Sequence, residues 1–310
     1  MKRFVLIAAL AVAASASLCA QQRTAQEYQQ RYALIVNRVG LDGVGVETLL
    51  NNWEKDYPED IDMLCAKFNY YFTKSQSSEI VKKDQKKFLG SEPTLSLKDS
   101  LGAQVNYFTE YFYVDSLFAE SCSAIDKAVR LKDNDLELRF AKITATLAYE
   151  KESPDMTLSA IKSLIDYNYT AHPKWIYKDE TVDDAFFSDA IQEYCYSFYL
   201  IASPVSYECF KAVSEKMLKY NPKDADFTAN LGSYCLAAGN DSKGAMKYYQ
   251  KALKLDPSNY VASKNCVVIA KRNKDVKTEK KYLPYLIQNA QTDTEKQAAQ
   301  ARLNALNGKK

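Results

Sequence analysis

Residues 225–259 of this 310-residue chain read ADFTANLGSYCLAAGNDSKGAMKYYQKALKLDPSN, in which small and aromatic residues recur at the spacing of two antiparallel helices. In the second predicted helix, Ala245 and Ala252 are seven residues apart on one face, with Tyr249 between them. Small side chains let two helix backbones approach closely, aromatic side chains fill the space beside them, and proline ends a helix. The predicted packing positions are Leu231, Gly232, Ala245, Tyr249, Ala252 and Pro257. The stretch therefore predicts one helical hairpin of a repeat array.

This pattern resembles a tetratricopeptide repeat. The family's large first residue is replaced by Thr228, its tyrosine is replaced by Cys235, and one extra residue in the turn makes the unit 35 residues long. Loops tolerate such insertions. Two other segments, ending at Pro222 and Pro58, are similar to the second half of the unit. The resemblance implies an array with one clear repeat at 225–259 and divergent repeats elsewhere.

Apolar residues at steps of three and four predict about a dozen helices, and few glycines and prolines interrupt them. We expect an all-α fold, an α-solenoid of antiparallel hairpins whose neighbours bury a shared core. The predicted divisions are a signal peptide at 1–20, helical hairpins at 21–74, an insertion at 75–114, helical repeats at 115–167, a loop at 168–182 and a C-terminal array at 183–307.

The insertion at 75–114 supports two interpretations. The segment VNYFTEYFYV alternates and is rich in aromatic and β-branched residues, which favours short extended segments that pack over the array. The alternative is a divergent repeat helix, and the sequence leaves both open. The loop at 168–182 contains the single histidine, and its His172-Pro173 step disfavours a helix.

The N-terminus predicts export. Lys2 and Arg3 precede an uncharged, alanine-rich run from Phe4 to Ala20, which is short for a membrane span but typical of a cleavable signal. This resembles exported proteins of Gram-negative bacteria of the Bacteroidetes type. We expect cleavage after Ala20 and a periplasmic or secreted protein. A lipoprotein anchored through Cys19 is the alternative.

Charge and composition argue against several classes of partner. Removal of Lys2 and Arg3 takes the formal net charge from +2 to 0, since 2 − 2 = 0. A neutral chain with interspersed charges does not predict nucleic-acid binding. No second apolar run of spanning length follows the signal, so no integral membrane span is expected after cleavage.

The sequence contains no recognisable catalytic set, and we expect a protein that is not an enzyme. A single histidine cannot form a multi-histidine metal site, no glycine-rich phosphate loop is present, and we expect neither metal nor cofactor. The six mature cysteines lack metal-ligand spacing. Free buried thiols are favoured, and disulfides between Cys195 and Cys209 or between Cys235 and Cys266 are the alternative.

The resemblance implies that partners bind the concave surface formed by the first helix of each hairpin. Mapped onto the repeat, this surface comprises Asp226, Ala229, Ser233, Leu236, Ala237, Lys264, Val268 and Lys271. The family's clamp for peptide carboxyl ends needs lysine and asparagine where this chain has Ala229 and Ser233, so that specificity is not carried over. We expect a protein or peptide partner. A glycan- or small-ligand-binding module that uses exposed tyrosines and Trp175 is the alternative.

Overall fold

The computed structural model describes residues 23–308. The predicted signal peptide and Cys19 lie outside these residues. The described chain forms thirteen α-helices: α1 Ala25–Val39, α2 Val46–Asp56, α3 Ile61–Ser75, α4 Asp115–Leu131, α5 Leu136–Tyr149, α6 Asp155–Ala171, α7 Asp184–Ile201, α8 Pro204–Tyr220, α9 Ala225–Ala237, α10 Ser242–Leu255, α11 Tyr260–Arg272, α12 Val276–Asn289 and α13 Asp293–Leu306. Successive helices pack as antiparallel pairs, and the predicted α-solenoid of tetratricopeptide type is confirmed.

Most helices begin at a short polar side chain that accepts hydrogen bonds from the first turn, as at Asp60, Asp135, Asp224 and Asn259. Such N-caps satisfy backbone donors that have no partner inside the helix. Among the helices of residues 23–308, none combines the length and apolar character needed to cross a membrane.

The odd-numbered helices lie side by side and form one layer. Gln192 on α7 and Asn230 on α9 exchange two amide hydrogen bonds of 3.0 and 2.8 Å. The amide of Asn259, the N-cap of α11, donates to Asp226 on α9 at 2.7 Å. Lys264 on α11 forms an ion pair with Glu295 on α13 at 3.1 Å. These contacts join the first helices of successive hairpins, which line the concave side of such an array.

The core consists of three apolar clusters that share helices. Helix α5 contributes Leu138 to the N-terminal cluster and Ile143 to the central one. Helix α9 contributes Phe227 to the central cluster and Ala229 to the C-terminal one. A helix that buries both faces in this way joins its two neighbours, so the core continues along the array.

The insertion continues the α3/α4 hairpin as a β-sheet. Strands β1 (Gln76–Lys83), β2 (Leu95–Lys98) and β3 (Gln104–Tyr113) form an antiparallel sheet in the order β1-β3-β2. β1 follows α3 directly, and β3 leads into α4. The backbone amide of Val114 donates to the carbonyl of Ser75 at 2.8 Å, which closes the junction. Of the two interpretations of residues 75–114, the structure confirms extended segments and not a divergent repeat helix.

The β1–β2 connection docks on helix α7. Gly90 has a φ of +76°, and a Cβ added there would overlap the carbonyl oxygen of Leu200 at the end of α7. The neighbouring Ser91 hydroxyl lies 3.2 Å from the Lys151 ammonium after α5. The insertion therefore connects the α3/α4 hairpin to the two hairpins that follow.

The predicted loop at 168–182 differs from the structure at its start. Helix α6 continues to Ala171 and ends at His172, whose left-handed φ of +47° allows the helix to stop before Pro173. Two short strands follow, β4 (Ile176–Tyr177) and β5 (Glu180–Thr181).

Trp175 lies between α6 and β4 and is 2% exposed, so it is not free to bind a glycan as the alternative interpretation required. Its ring stacks on Phe187 with 6.1 Å between centroids, and its indole nitrogen donates to Asn168 at 2.7 Å. Burial of a large aromatic surface with its donor satisfied explains this position.

Within residues 23–308, the six cysteines carry free thiols. Cys195, Cys209 and Cys266 are buried, and burial raises the pKa of the Cys195 and Cys266 thiols to about 12. Thiols with such a pKa are protonated near neutral pH and react slowly.

Candidate groove on the inner helices

Most of the predicted packing residues are buried on α9 and α10. Ala245, Tyr249 and Ala252 are fully buried, and Gly232 lies beneath the Tyr249 ring. Leu231 on α9 is also buried, whereas Pro257 is exposed in the turn after α10. Burial raises the pKa of the Tyr249 hydroxyl, which lies 3.0 Å from the Ser233 hydroxyl.

The predicted partner-binding residues of α9 differ in how far solvent reaches them. Asp226 is exposed, Leu236 and Ala237 are half-buried, and Ala229 is only 1% exposed. The Ser233 hydroxyl is engaged by Tyr249, as described above. Ala229 therefore belongs to the core and not to an open surface. Its burial follows from close packing against the C-terminal cluster.

On α11, Lys264, Val268 and Lys271 are all exposed along one side. Lys264 is held by the Tyr260 hydroxyl at 2.7 Å and by Glu295. The hydrogen bonds that the Lys264 ammonium donates to these two groups raise its pKa. Part of its charge is thus already neutralised within the array.

The same layer also carries clefts at α3, α5 and α7. Two adjoining clefts of about 400 Å³ and 460 Å³ lie there and share Phe140, Thr144 and Tyr177. We call them together the inner groove. It is lined by Phe68, Asn69, Phe72, Glu137, Phe140, Ala141, Thr144, Ala145, Ala148, Tyr177, Phe186, Asp189, Ala190, Glu193, Tyr194 and Ser197.

Aromatic side chains form the floor of the inner groove. The Phe140 ring lies 6.1 Å from that of Tyr177 and 5.9 Å from that of Tyr194, measured between centroids. Phe186 lies 5.0 Å from Tyr177. Burial raises the pKa of the Tyr194 hydroxyl to about 12, and this hydroxyl donates to the Phe140 carbonyl at 3.3 Å. The floor is therefore a packed group of aromatic rings, and the Tyr194 ring is anchored by a hydrogen bond to the backbone of Phe140.

Carboxylates form the polar part of the lining. Glu137, Asp189 and Glu193 are exposed, and none of the three belongs to an ion pair within residues 23–308. No lysine or arginine occurs among the lining residues of the two clefts in the described chain. The inner groove is apolar at its base and negative at its rim.

A third cleft of about 410 Å³ lies between the insertion and the α5–α6 turn, and it shares Ala148 with the inner groove. It contains Glu110, which pairs with Lys83 at 2.6 Å, and Lys151, whose pKa is lowered by burial. The described residues contain no group of three or more His, Cys, Asp or Glu side chains placed to hold a metal ion.

No protein-family model and no curated protein matches the chain. A structure from a functional characterization of pilF of Pseudomonas aeruginosa is similar to it over 90% of this chain and 97% of that one. The identity is 12% and the TM-score is 0.34. At this level of similarity we infer neither function nor partner from that protein.

Sequence reasoning placed the candidate surface on α9 and α11 and did not identify the inner groove. A signal for it exists in the sequence. Phe186, Ala190, Glu193 and Ser197 follow one another at steps of three and four along α7, on a different face from the buried Phe187, Ile191 and Phe198. This second stripe along α7 contains both polar and apolar residues, which indicates a helix face that solvent or a ligand reaches.

Proposed function

We propose that this protein is a non-enzymatic interaction scaffold that binds a segment of another protein in the inner groove. The observation that carries the proposal is the pair of adjoining clefts across three inner helices, with an aromatic floor formed by Phe140, Tyr177 and Phe186. Binding sites for protein segments combine apolar anchor pockets with a few polar groups that fix orientation.

The dimensions of the groove suit a short segment. Packed helices lie about 8–10 Å apart, so three neighbouring inner helices span roughly 20 Å. An extended chain advances about 3.3 Å per residue, and about six residues cross that distance. The exposed face of α11, with Val268 and Lys271, offers further contacts to a longer partner.

A glycan partner is less well supported by the side chains present. Trp175 is buried, and the exposed tyrosines are Tyr111 on β3, Tyr196 and Tyr199 on α7 and Tyr248 on α10, none of which lines the inner groove. Glycan sites use an aromatic face that is free to stack on a sugar ring. The inner groove instead presents several rings packed against one another.

We also propose that the scaffold acts in the periplasm or outside the cell. The proposal rests on the signal-like residues 1–20. N-terminal sequencing of the protein purified from fractionated native cells tests it. Recovery of chains that begin at Gln21 from the periplasm or medium is expected, and recovery of uncleaved chains from the cytoplasm would exclude export.

Site-specific photo-crosslinking tests the docking proposal. The crosslinking residue is placed at Thr144, which is exposed and lines both clefts, and at Lys254, an exposed residue of the outer helix α10, as the control. Expression in native cells should give a discrete crosslinked protein from Thr144 only, and mass spectrometry then identifies the captured segment. Identical products from both positions, or no product from Thr144, would refute the groove as the docking site.

A further inference from the structure

The charge of the inner groove indicates which kind of protein segment binds there. Glu137 lies on α5, and Asp189 and Glu193 lie on α7. One helix further along the inner layer, Asp226 on α9 is also exposed and unpaired within residues 23–308. The acidic rim thus runs across three neighbouring helices.

None of these four carboxylates forms an ion pair with a lysine or arginine of the described chain, so their charges are not neutralised within the array. A concave surface with low-dielectric walls focuses the field of charges of one sign. The inner groove therefore attracts cations more strongly than an equal number of scattered surface carboxylates does.

The aromatic floor favours the same kind of ligand. Lysine and arginine side chains bind aromatic faces through the ring quadrupole, and their aliphatic stems pack against apolar surface. Phe140, Tyr177 and Phe186, which are half-buried and pack against one another, leave apolar surface for such stems beside Glu137, Asp189 and Glu193. The groove's own surroundings already contain one example, because the Lys178 ammonium lies 5.3 Å from the Tyr177 ring centroid.

We infer that the occupant of the inner groove is a cationic amphipathic segment, in which lysine or arginine alternates with apolar or aromatic residues. This inference rests on the proposed function and specifies its partner. Apolar side chains of the segment enter the two clefts, and its cations meet Glu137, Asp189 and Glu193 at the rim. A segment with the same apolar residues but acidic in place of basic ones is repelled.

Selection from a random peptide library tests the inference. A display library of peptides of about twelve residues is selected on the full mature chain and, in parallel, on the Phe186→Ala variant. Enriched peptides are then titrated against a Glu137→Gln/Asp189→Asn/Glu193→Gln variant. The matched control is Glu59→Gln/Glu120→Gln/Glu215→Gln, which removes the same number of charges from exposed positions outside the clefts.

The expected result is enrichment of basic, apolar-containing peptides whose dissociation constant rises at least about tenfold in the groove charge variant and changes little in the control. If the enriched peptides are neutral or acidic and fail to bind Phe186→Ala, the inference of a cationic partner is wrong, whereas the proposal that the inner groove binds a protein segment stands. Peptides that bind wild type and Phe186→Ala equally, or no enrichment on wild type, would overturn both.

Discussion

Gly232 allows α9 and α10 to approach closely, because a Cβ at this position would lie 2.8 Å from Cε1 of Tyr249. Tyr249 is fully buried and has little room to move. We expect Gly232→Ala to lower the free energy of unfolding by about 1–2 kcal/mol, since overpacking costs more than the roughly 0.5–1 kcal/mol that alanine gains in a helix.

Urea denaturation in a double-mutant cycle separates this steric cost from other effects. In a Tyr249→Leu background the ring atoms are absent, so Gly232→Ala should become neutral or stabilising. An equal loss of stability in the two backgrounds would show that the contact with Tyr249 is not the reason for glycine at 232.

Asp226 combines an exposed carboxylate with an unfavourable environment for its charge. Desolvation and the neighbouring Asp224 raise its pKa, with further contributions from Asp256 and Asp189, whereas a hydrogen bond from Asn259 opposes them. The folded-state pKa therefore lies above the unfolded one of about 3.9. The charge of this carboxylate therefore destabilises the folded state at pH values above the folded pKa, and this penalty is lost as pH falls through the folded pKa and is absent below the unfolded pKa.

We expect Asp226→Asn to raise the melting temperature at pH 7 but not at pH 3, and to weaken binding of a cationic peptide. An asparagine can still accept the hydrogen bond from Asn259. If the Asp226 carboxylate instead stabilised the fold, Asp226→Asn would have a lower melting temperature than wild type at pH 7. Thermal unfolding of both proteins at the two pH values distinguishes these roles.

At the scale of elements, the insertion depends on a close contact between Gly90 and α7. Gly90 and Gly102 have similar positive φ values, +76° and +81°, but only Gly90 has atoms within 4 Å of an added Cβ. Both alanine variants bear the strain of a left-handed backbone, about 1 kcal/mol, and Gly90→Ala also overlaps the Leu200 carbonyl.

Gly90→Ala should therefore release the β1–β2 connection from α7, whereas Gly102→Ala should leave it docked. Hydrogen–deuterium exchange measures this directly. Faster exchange at residues 84–94 and at the end of α7 is expected in Gly90→Ala only. The same exchange pattern in the two variants would mean that backbone strain, and not docking, determines the behaviour of this segment.

The elements differ in how far the sequence determines them. Helices with clear periodicity and a polar N-cap, such as α3 after Asp60, follow from local pattern. The extended insertion could not be distinguished from a helix, because the alternation in VNYFTEYFYV is short and strand pairing is a long-range property. Burial of Trp175 also depends on tertiary contacts, with Phe187 and Asn168, that no local pattern encodes.

At the scale of the whole molecule, the hairpin at 225–259 is enough to predict a solenoid. It does not predict where the concave surface of that solenoid forms a groove. The repeat at 225–259 predicts the interface of α9 and α10, and an inner layer follows from stacking such units. The depth of the groove at α3, α5 and α7 depends on side chains from three hairpins, including Phe72, Phe140 and Phe186, whose juxtaposition requires the assembled array. The sequence therefore predicts the layer of first helices, whereas the clefts at α3, α5 and α7 become visible only in the structure.

The affinity of the segment captured at Thr144 for two α7 variants tests the docking groove most directly. Phe186 lines the groove, and Tyr196, on the same helix, is 55% exposed and lies outside its lining. Calorimetric titration should show that Phe186→Ala raises the dissociation constant at least tenfold, about 1.4 kcal/mol or more, as for an aromatic anchor. Tyr196→Ala should bind like wild type. Equal affinities for wild type and a folded Phe186→Ala variant would contradict docking in the inner groove.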